Sequence, residues 1–431
     1  MKEILKKIIA KILELEARAI IKKYQPKIIA VTGSVGKTST KDAIYAVISK
    51  SVYARKSEKS FNSDIGVPLT ILGCNNGWND PIKWAYNLWH GLSYLFFKKS
   101  YPEWLVLEVG ADRPGDIKKI TRWLKPNIVV VTKFANVPVH IEYFKSKEDV
   151  VAEKANLVYA LKHDGILILN SDDTDVFAFK NKTLNKILTY GMMGDAEVRA
   201  TNYSIYYHEE SGEPYGIYFK VEHTGNTLPV RMIGTLGGNN IYSSLAALSV
   251  GISLNLNLVE CAENLSNYST PKGRMSLIKG LKKSTIIDDT YNSSPVALTS
   301  AIETLRDIKT KNRKIAILGD MMELGRHSSD EHKKAGILVV TACDLLITVG
   351  LRSRALAESA IDAGLDEDSV LQFDTSDEAG DYIKDYIKEG DIILVKGSQS
   401  TRMEKVVYRL MAEPERAEDL LVRQEEEWLM R

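Results

Sequence analysis

A short apolar run, Lys27-Ile-Ile-Ala-Val31, passes directly into Thr32-Gly33-Ser34-Val35-Gly36-Lys37-Thr38 and then into a helical pattern from Thr38 to Ser49. Strand, glycine-bearing turn and helix in that order leave few ways to fold. The turn must place the backbone N–H groups of Gly33 to Thr38 around one small cavity, beside a helix N-terminus. Such donors suit phosphate oxygens, with Ser34, Gly36 and Ser39 as parts of the loop, Lys37 reaching the β- and γ-phosphates, and Thr38 reaching Mg2+. Val31 occupies the position of the first glycine in the general phosphate-loop pattern, so only the later part of that pattern is matched. The loop predicts a nucleotide site and leaves the reaction open.

Further apolar runs at Trp104–Glu108, Ile128–Thr132 and Gly165–Leu169 alternate with helix-like segments, the rhythm of a parallel sheet covered on both faces. From Val198 to Met232 the pattern alternates and predicts an antiparallel excursion. A second series, at Thr285–Asp288, Lys314–Leu318, Leu345–Val349 and Ile392–Val395, predicts a Rossmann-like unit, with the join near Pro271-Lys-Gly273. The expected class is α/β: a P-loop-type parallel-sheet ATPase domain at 26–271 and a Rossmann-like C-terminal domain at 272–412. An amphipathic helix at 1–25 precedes them and a charged helical tail without chemistry, 413–431, follows.

In the first of these, Ile4, Leu5, Ile8, Ile9, Ile12 and Leu13 share one helical face opposite Lys and Glu. Such a helix packs on the body of the protein or lies on a membrane surface. The same two readings apply to residues 78–99, where Trp78, Trp84, Tyr86, Trp89, Tyr94 and Phe96 crowd ahead of Lys98-Lys99. Charges nearly cancel, 57 Lys+Arg against 56 Asp+Glu, so no global field favours nucleic acid. Cys74, Cys261 and Cys343 are odd in number and widely spaced, which fits a reducing cytoplasm better than a disulfide framework. The expected location is cytoplasmic, with any membrane contact peripheral, at the inner face through residues 1–24 and 78–99.

Glu108 ends a strand, where a carboxylate serves as a direct or outer ligand of Mg2+, or as a plain surface acid. His140 stands alone by sequence, and a structural role is its default. The motifs Thr32–Lys41, Asn62–Pro68, Leu107–Gly110, Ala152-Glu-Lys154-Ala155, Asp288–Asn292, Gly319–Gly325 and Leu394–Ser398 occur in order. Together they resemble the Mur ligase family, and within it the MurF type, over roughly Lys27 to Met411. Ser34, Thr38 and the Gly319–Gly325 string favour that type over other Mur ligases and folylpolyglutamate synthases.

The resemblance implies an ATP-dependent, ADP-forming amide ligase of cell-wall precursor synthesis that joins D-alanyl-D-alanine to a UDP-muramoyl tripeptide through an acyl phosphate. It implies two Mg2+ ions held through Thr38, Glu108, His140 and a carbamylated Lys154. By spacing alone Lys154 is an ordinary helix-surface lysine. The resemblance also implies Asn62 and Asp64 beside the γ-phosphate, Asn240 at adenine, Arg274 near the phosphates, and Asp289 with Tyr291 at ribose and base. Lys396 and Ser398 would lie near the incoming amino component. Ser243 and Asn239 differ from the residues usual in that type, which touches details of nucleotide contact. About 25 residues precede the first strand, where the MurF type carries a UDP-sugar domain, so a lipid-linked or other peptide acceptor is the alternative expectation. A nucleotide-gated scaffold without ligation is the alternative of another class, and the presence of Lys37, Glu108, His140 and Lys154 together speaks against it.

Overall fold

The computed structural model describes residues 2–137 and 140–430, built on two sheets. The first comprises β1 (Lys27–Thr32), β2 (Ala54–Lys56), β3 (Trp104–Glu108), β4 (Ile128–Val131), β5 (Ile166–Asn170), β6 (Lys186–Gly191), β7 (Val198–Tyr207), β8 (Pro214–His223) and β9 (Asn226–Ile233). Their order is β2-β3-β1-β4-β5-β6-β7-β8-β9. Pairing is parallel from β2 to β7 and antiparallel from β7 to β9. Because β1 lies between β3 and β4, the chain reverses its direction of travel across the sheet there. That is the topological switch point at which open α/β sheets leave a crevice for ligand.

Both faces of β1 are covered, which is why it reads as a continuous apolar run. Ile29 and Val31 pack with Ala43, Ile44 and Val47 of α2 (Lys37–Ile48), while Ile28 and Ala30 meet Leu13, Ala17 and Ile20 of α1 (Lys2–Tyr24). α1 is thus a layer of the domain. Its core stripe is displaced from the one expected: Leu13 is buried, Ile9 is half-buried, and Leu5, Ile8 and Ile12 are exposed. The side chain of Ile4 lies outside the described residues. Helical periodicity fixed the helix, but two adjacent faces carry apolar residues and only the neighbours β1 and α3 (Gly66–Leu72) decide between them.

The aromatic segment forms α4 (Pro81–Phe96), begun by Pro81 and by the Asp80 carboxylate, which accepts from the Ile82 and Lys83 amides. α4 crosses α1 closely: a Cβ on Gly91 would fall 2.2 Å from Glu16 Oε2. Neither carboxylate oxygen of Glu16 has a hydrogen-bond partner among the described residues, and burial pushes its pKa from 4.5 up to about 7. The folded state therefore holds this proton more tightly than the unfolded chain. Its contribution to stability is full below about pH 4.5 and is lost as pH rises towards 7. Glu16→Gln should raise the unfolding temperature by several degrees at pH 8 and leave it nearly unchanged at pH 4.5. Equal shifts at both pH values in a calorimetric scan would refute the titration.

The second sheet comprises β10 (Ser276–Lys279), β11 (Thr285–Asp289), β12 (Lys314–Gly319), β13 (Leu345–Val349), β14 (Val370–Phe373) and β15 (Ile392–Lys396), in the order β10-β11-β15-β12-β13-β14. All pairs are parallel except β10 with β11. The tail departs from expectation. Among the described residues it makes only single turns, Pro414–Arg416, Ala417–Leu420 and Glu426–Leu429, with a left-handed backbone at Arg423 (φ 60°) before the last. The buried Arg423 guanidinium holds it in place, donating to Glu404 (2.9 Å) and to the carbonyls of Thr290 (3.1 Å) and Tyr291.

Candidate active site

At the carboxyl end of β1 the loop turns on two glycines. A Cβ on Gly33 (φ 148°) would overlap the Thr132 hydroxyl at 1.9 Å, and Gly36 (φ 84°) is left-handed at the start of α2. The donor cradle is smaller than expected, because the Ser34 and Val35 amides donate to the Lys133 carbonyl (2.7 and 3.2 Å). The amides of Gly36, Lys37, Thr38 and Ser39 have no protein acceptor among the described residues, and no side chain caps α2. Four free N–H groups at a helix N-terminus form an anion seat. The Lys37 ammonium bends back to within 3.5 Å of the Ser34 carbonyl. Burial, then the nearby Arg274, lowers its pKa, opposed by Glu108 and Asp112.

Glu108 sits at the mouth of the loop, buried, at the tip of β3. Its Oε2 accepts from the Thr38 hydroxyl (2.9 Å), and its Oε1 accepts from Ser60 (2.7 Å) and Asn62 (3.1 Å). Asp64, two residues on, is exposed. Lys41 secures the segment that carries Ser60: wholly buried on α2, it donates to the carbonyls of Ser57 (2.7 Å) and Lys59 (3.1 Å) and pairs with Asp42 (3.2 Å).

Lys154 is buried, on the helix Lys147–Tyr159, where spacing alone predicts a surface lysine. Its ammonium donates to the Gly33 carbonyl (3.0 Å), and burial followed by repulsion from Lys37 takes its pKa from 10.5 down to about 7. Asp112 and Glu153 oppose that shift. Asp112 thus acts on both lysines, and nothing in its loop sequence singles it out.

His140 meets two carboxylates. Its ring nitrogens lie 3.4 Å from Asp112 and 3.0 Å from Glu323, the latter in the Gly319–Gly325 string of the second domain. Of the expected set, Thr38 and Glu108 are in direct contact, while His140 is engaged by Asp112 and Glu323 and Lys154 by the Gly33 carbonyl. Among the described residues there is no group of three or more His, Cys, Asp or Glu side chains suited to an ion. Thr38 with Glu108 does offer adjacent oxygens, a fit to one Mg2+.

The second domain faces the loop through Arg274, whose guanidinium lies 4.0 Å from the ring centroid of Tyr291. Asp289 is engaged by Lys396 in a buried ion pair (2.5 Å), and Lys396 also donates to the Asn292 carbonyl (3.0 Å). Ser398 is buried and accepts from the Met322 amide (2.9 Å). Asn240 spends its amide on Thr235 (2.7 Å) and the Leu236 carbonyl (2.8 Å), tying down the start of the helix Gly238–Ser253. One turn on, Ser243 accepts from Thr40 of α2 (3.2 Å). Sequence reasoning gave no role to Ser60, Asp112, Glu323 or Arg423. Lys41 and Glu323 lay within recognised motifs, whereas the others carried no local signal.

A phosphate-binding loop at a switch point, with a buried carboxylate at its mouth and a second α/β domain presenting an arginine to it, defines a two-domain nucleotide-binding protein. The family model of the Mur ligase middle domain matches residues 31–251, and that of the Mur ligase glutamate ligase domain matches 273–399. The chain belongs to the Mur ligase family. It is 28% identical over 399 residues to the UDP-N-acetylmuramoyl-tripeptide–D-alanyl-D-alanine ligase of Bacillus subtilis, covering 92% of this chain and 79% of that one. The enzyme of the same name from Escherichia coli is 26% identical over 401 residues, again covering 92% and 79%. The crystal structure of MurF ligase from Thermotoga maritima in complex with ADP superposes with a TM-score of 0.75 at 23% identity, covering 95% of this chain and 84% of that one.

Proposed function

We propose that this chain is an ATP-dependent, ADP-forming ligase that joins D-alanyl-D-alanine to the tripeptide of a UDP-muramoyl precursor. The observation that carries the reading is the Glu108 cluster with Thr38, Ser60 and Asn62 at the mouth of the loop, together with relatives that bear this activity in their names. A carboxylate oxygen of the acceptor peptide attacks the γ-phosphorus of ATP and ADP leaves. The amine of the second substrate then attacks the acyl carbon, phosphate leaves, and the amine gives up a proton. The four free amides and Lys37 hold the triphosphate, and Arg274 offsets its charge from the other domain.

Thr38 and Glu108 would hold one Mg2+, which when bound offsets repulsion between carboxylate and triphosphate. No step is assigned to a second ion. Lys154 is the site at which we place a carbamate. Burial and Lys37 lower its pKa to about 7, which favours the neutral amine that addition to CO2 requires, and the resulting anion would sit beside Lys37.

With ATP and Mg2+, the purified protein should release phosphate only when both UDP-muramoyl tripeptide and D-alanyl-D-alanine are present. The product should be heavier than the acceptor by the dipeptide less water. Equal product from unrelated amino acids would overturn the assignment. A second acceptor belongs in the same assay, because a cavity of about 1790 Å³ joins Thr38 and Ser60 to apolar side chains of α1 and α4. Ile8, Ile12, Trp84 and Leu88 line it, and such a wall suits the hydrocarbon of a lipid-linked peptide. Preference for that acceptor over the UDP-linked one would replace the first reading with the second.

A further inference from the structure

α4 is amphipathic in the opposite sense to a helix that simply packs on a soluble core. Its most buried residues are Asn87, Gly91, Ser93 and Tyr94, small or polar for the most part, with Trp84 and Leu88 only half-buried. Along the outer face run Ile82, Trp89 and Phe96, seven residues apart and 79%, 62% and 76% exposed, with Tyr86 and Phe97 exposed beside them. The inward polar groups are satisfied: Asn87 donates to the Asn75 carbonyl (2.8 Å), and the Ser93 hydroxyl, donating to the His90 carbonyl (2.5 Å), accepts from Lys99 (2.7 Å). The arrangement is therefore a settled packing. A water-facing helix gains nothing from presenting its largest apolar side chains outwards.

Charge selects the occupant. From Pro81 to Pro102 there is no acidic residue; Lys83 near one end of the helix lies 4.0 Å from Asp80 and Glu427, while at the other end Lys98 is exposed and Lys99 reaches Ser93. Lysines flanking an aromatic stripe match the interface of an anionic bilayer, where rings enter the headgroup region and ammonium groups meet lipid phosphates. No helix among the described residues is long and apolar enough to cross a membrane, so the contact is one of lying upon the surface. We propose that the outer face of α4 docks the protein on a membrane carrying anionic lipids. Leu5, Ile8 and Ile12 of α1 and Ala85 and Leu88 of α4 line the large cavity beside this helix.

The test is flotation of the full chain with phosphatidylglycerol-containing vesicles and with neutral phosphatidylcholine vesicles, beside a variant carrying Ile82→Ser, Trp89→Ser and Phe96→Ser. These positions are largely exposed, so circular dichroism should show an unchanged fold. The expected result is co-flotation with anionic vesicles, reduced at high salt and on neutral vesicles, and weakened by at least about tenfold in the variant. Absence of flotation with anionic vesicles overturns the proposal. Undiminished flotation of the folded variant overturns the assignment to this face. A parent that sediments as a dimer without floating, with a monomeric variant, would make the face a contact between copies and overturn the membrane reading.

Discussion

Lys154→Ala is expected to lower ligation about 100- to 1000-fold, the range lost when a single preorganised electrostatic group is removed from an active site. The lysine is buried against the Gly33 carbonyl, with its pKa near 7 because of burial and Lys37. The proposed carbamate at that nitrogen would reverse the local charge and relieve the repulsion. Short carboxylic acids such as formate should restore part of the activity in the alanine variant by supplying the missing anion. The parent enzyme should lose activity in CO2-depleted buffer, more at pH 6 than at pH 8, because the protonated amine does not add CO2. Full turnover in Lys154→Ala, measured as phosphate release with both substrates present, would remove Lys154 from the site.

Glu108→Gln should have a comparable effect through another route. The amide retains the shape of the carboxylate, and its oxygen still accepts from Ser60 and Asn62, so the fold should survive. The charge facing Thr38 is lost. Ligation should fall about 100-fold or more, and the Mg2+ concentration for half-maximal rate should rise. A variant with reduced rate and an unchanged Mg2+ requirement would show that Glu108 only positions Ser60 and Asn62.

The sheet was readable where strands are buried on both faces, since β1, β3, β4 and β5 each form a continuous apolar run. β2, three residues containing Arg55 and Lys56, exists because β3 offers it a partner, and no local pattern marks it. β10, β14 and β6 escaped notice for similar reasons: the first two are short edge strands, and β6 begins with a polar residue and ends in Thr-Tyr-Gly. In the site, Lys37 and Thr38 came from the strand–turn–helix pattern and Glu108 from its place at a strand end, where a plain surface acid was the alternative, whereas Lys154 and Arg274 came only through resemblance. His140 was grouped with the metal residues, yet in the structure it turns to Glu323 of the other domain. Pairing across domains leaves no periodicity in a sequence. Asp112 was missed on the same ground, since its influence on Lys37 and Lys154 arises from proximity alone.

The strands that close the two sheets bear on behaviour in concentrated solution. β2 has three residues, β10 and β14 have four each, and β9 carries Pro229, which has no N–H to offer a further strand. Sheet-to-sheet growth between molecules is therefore poorly templated at every edge. Any tendency of the purified protein to cluster should originate in the greasy stripe of α4, and a mild detergent should disperse such clusters where changes to the strands would not.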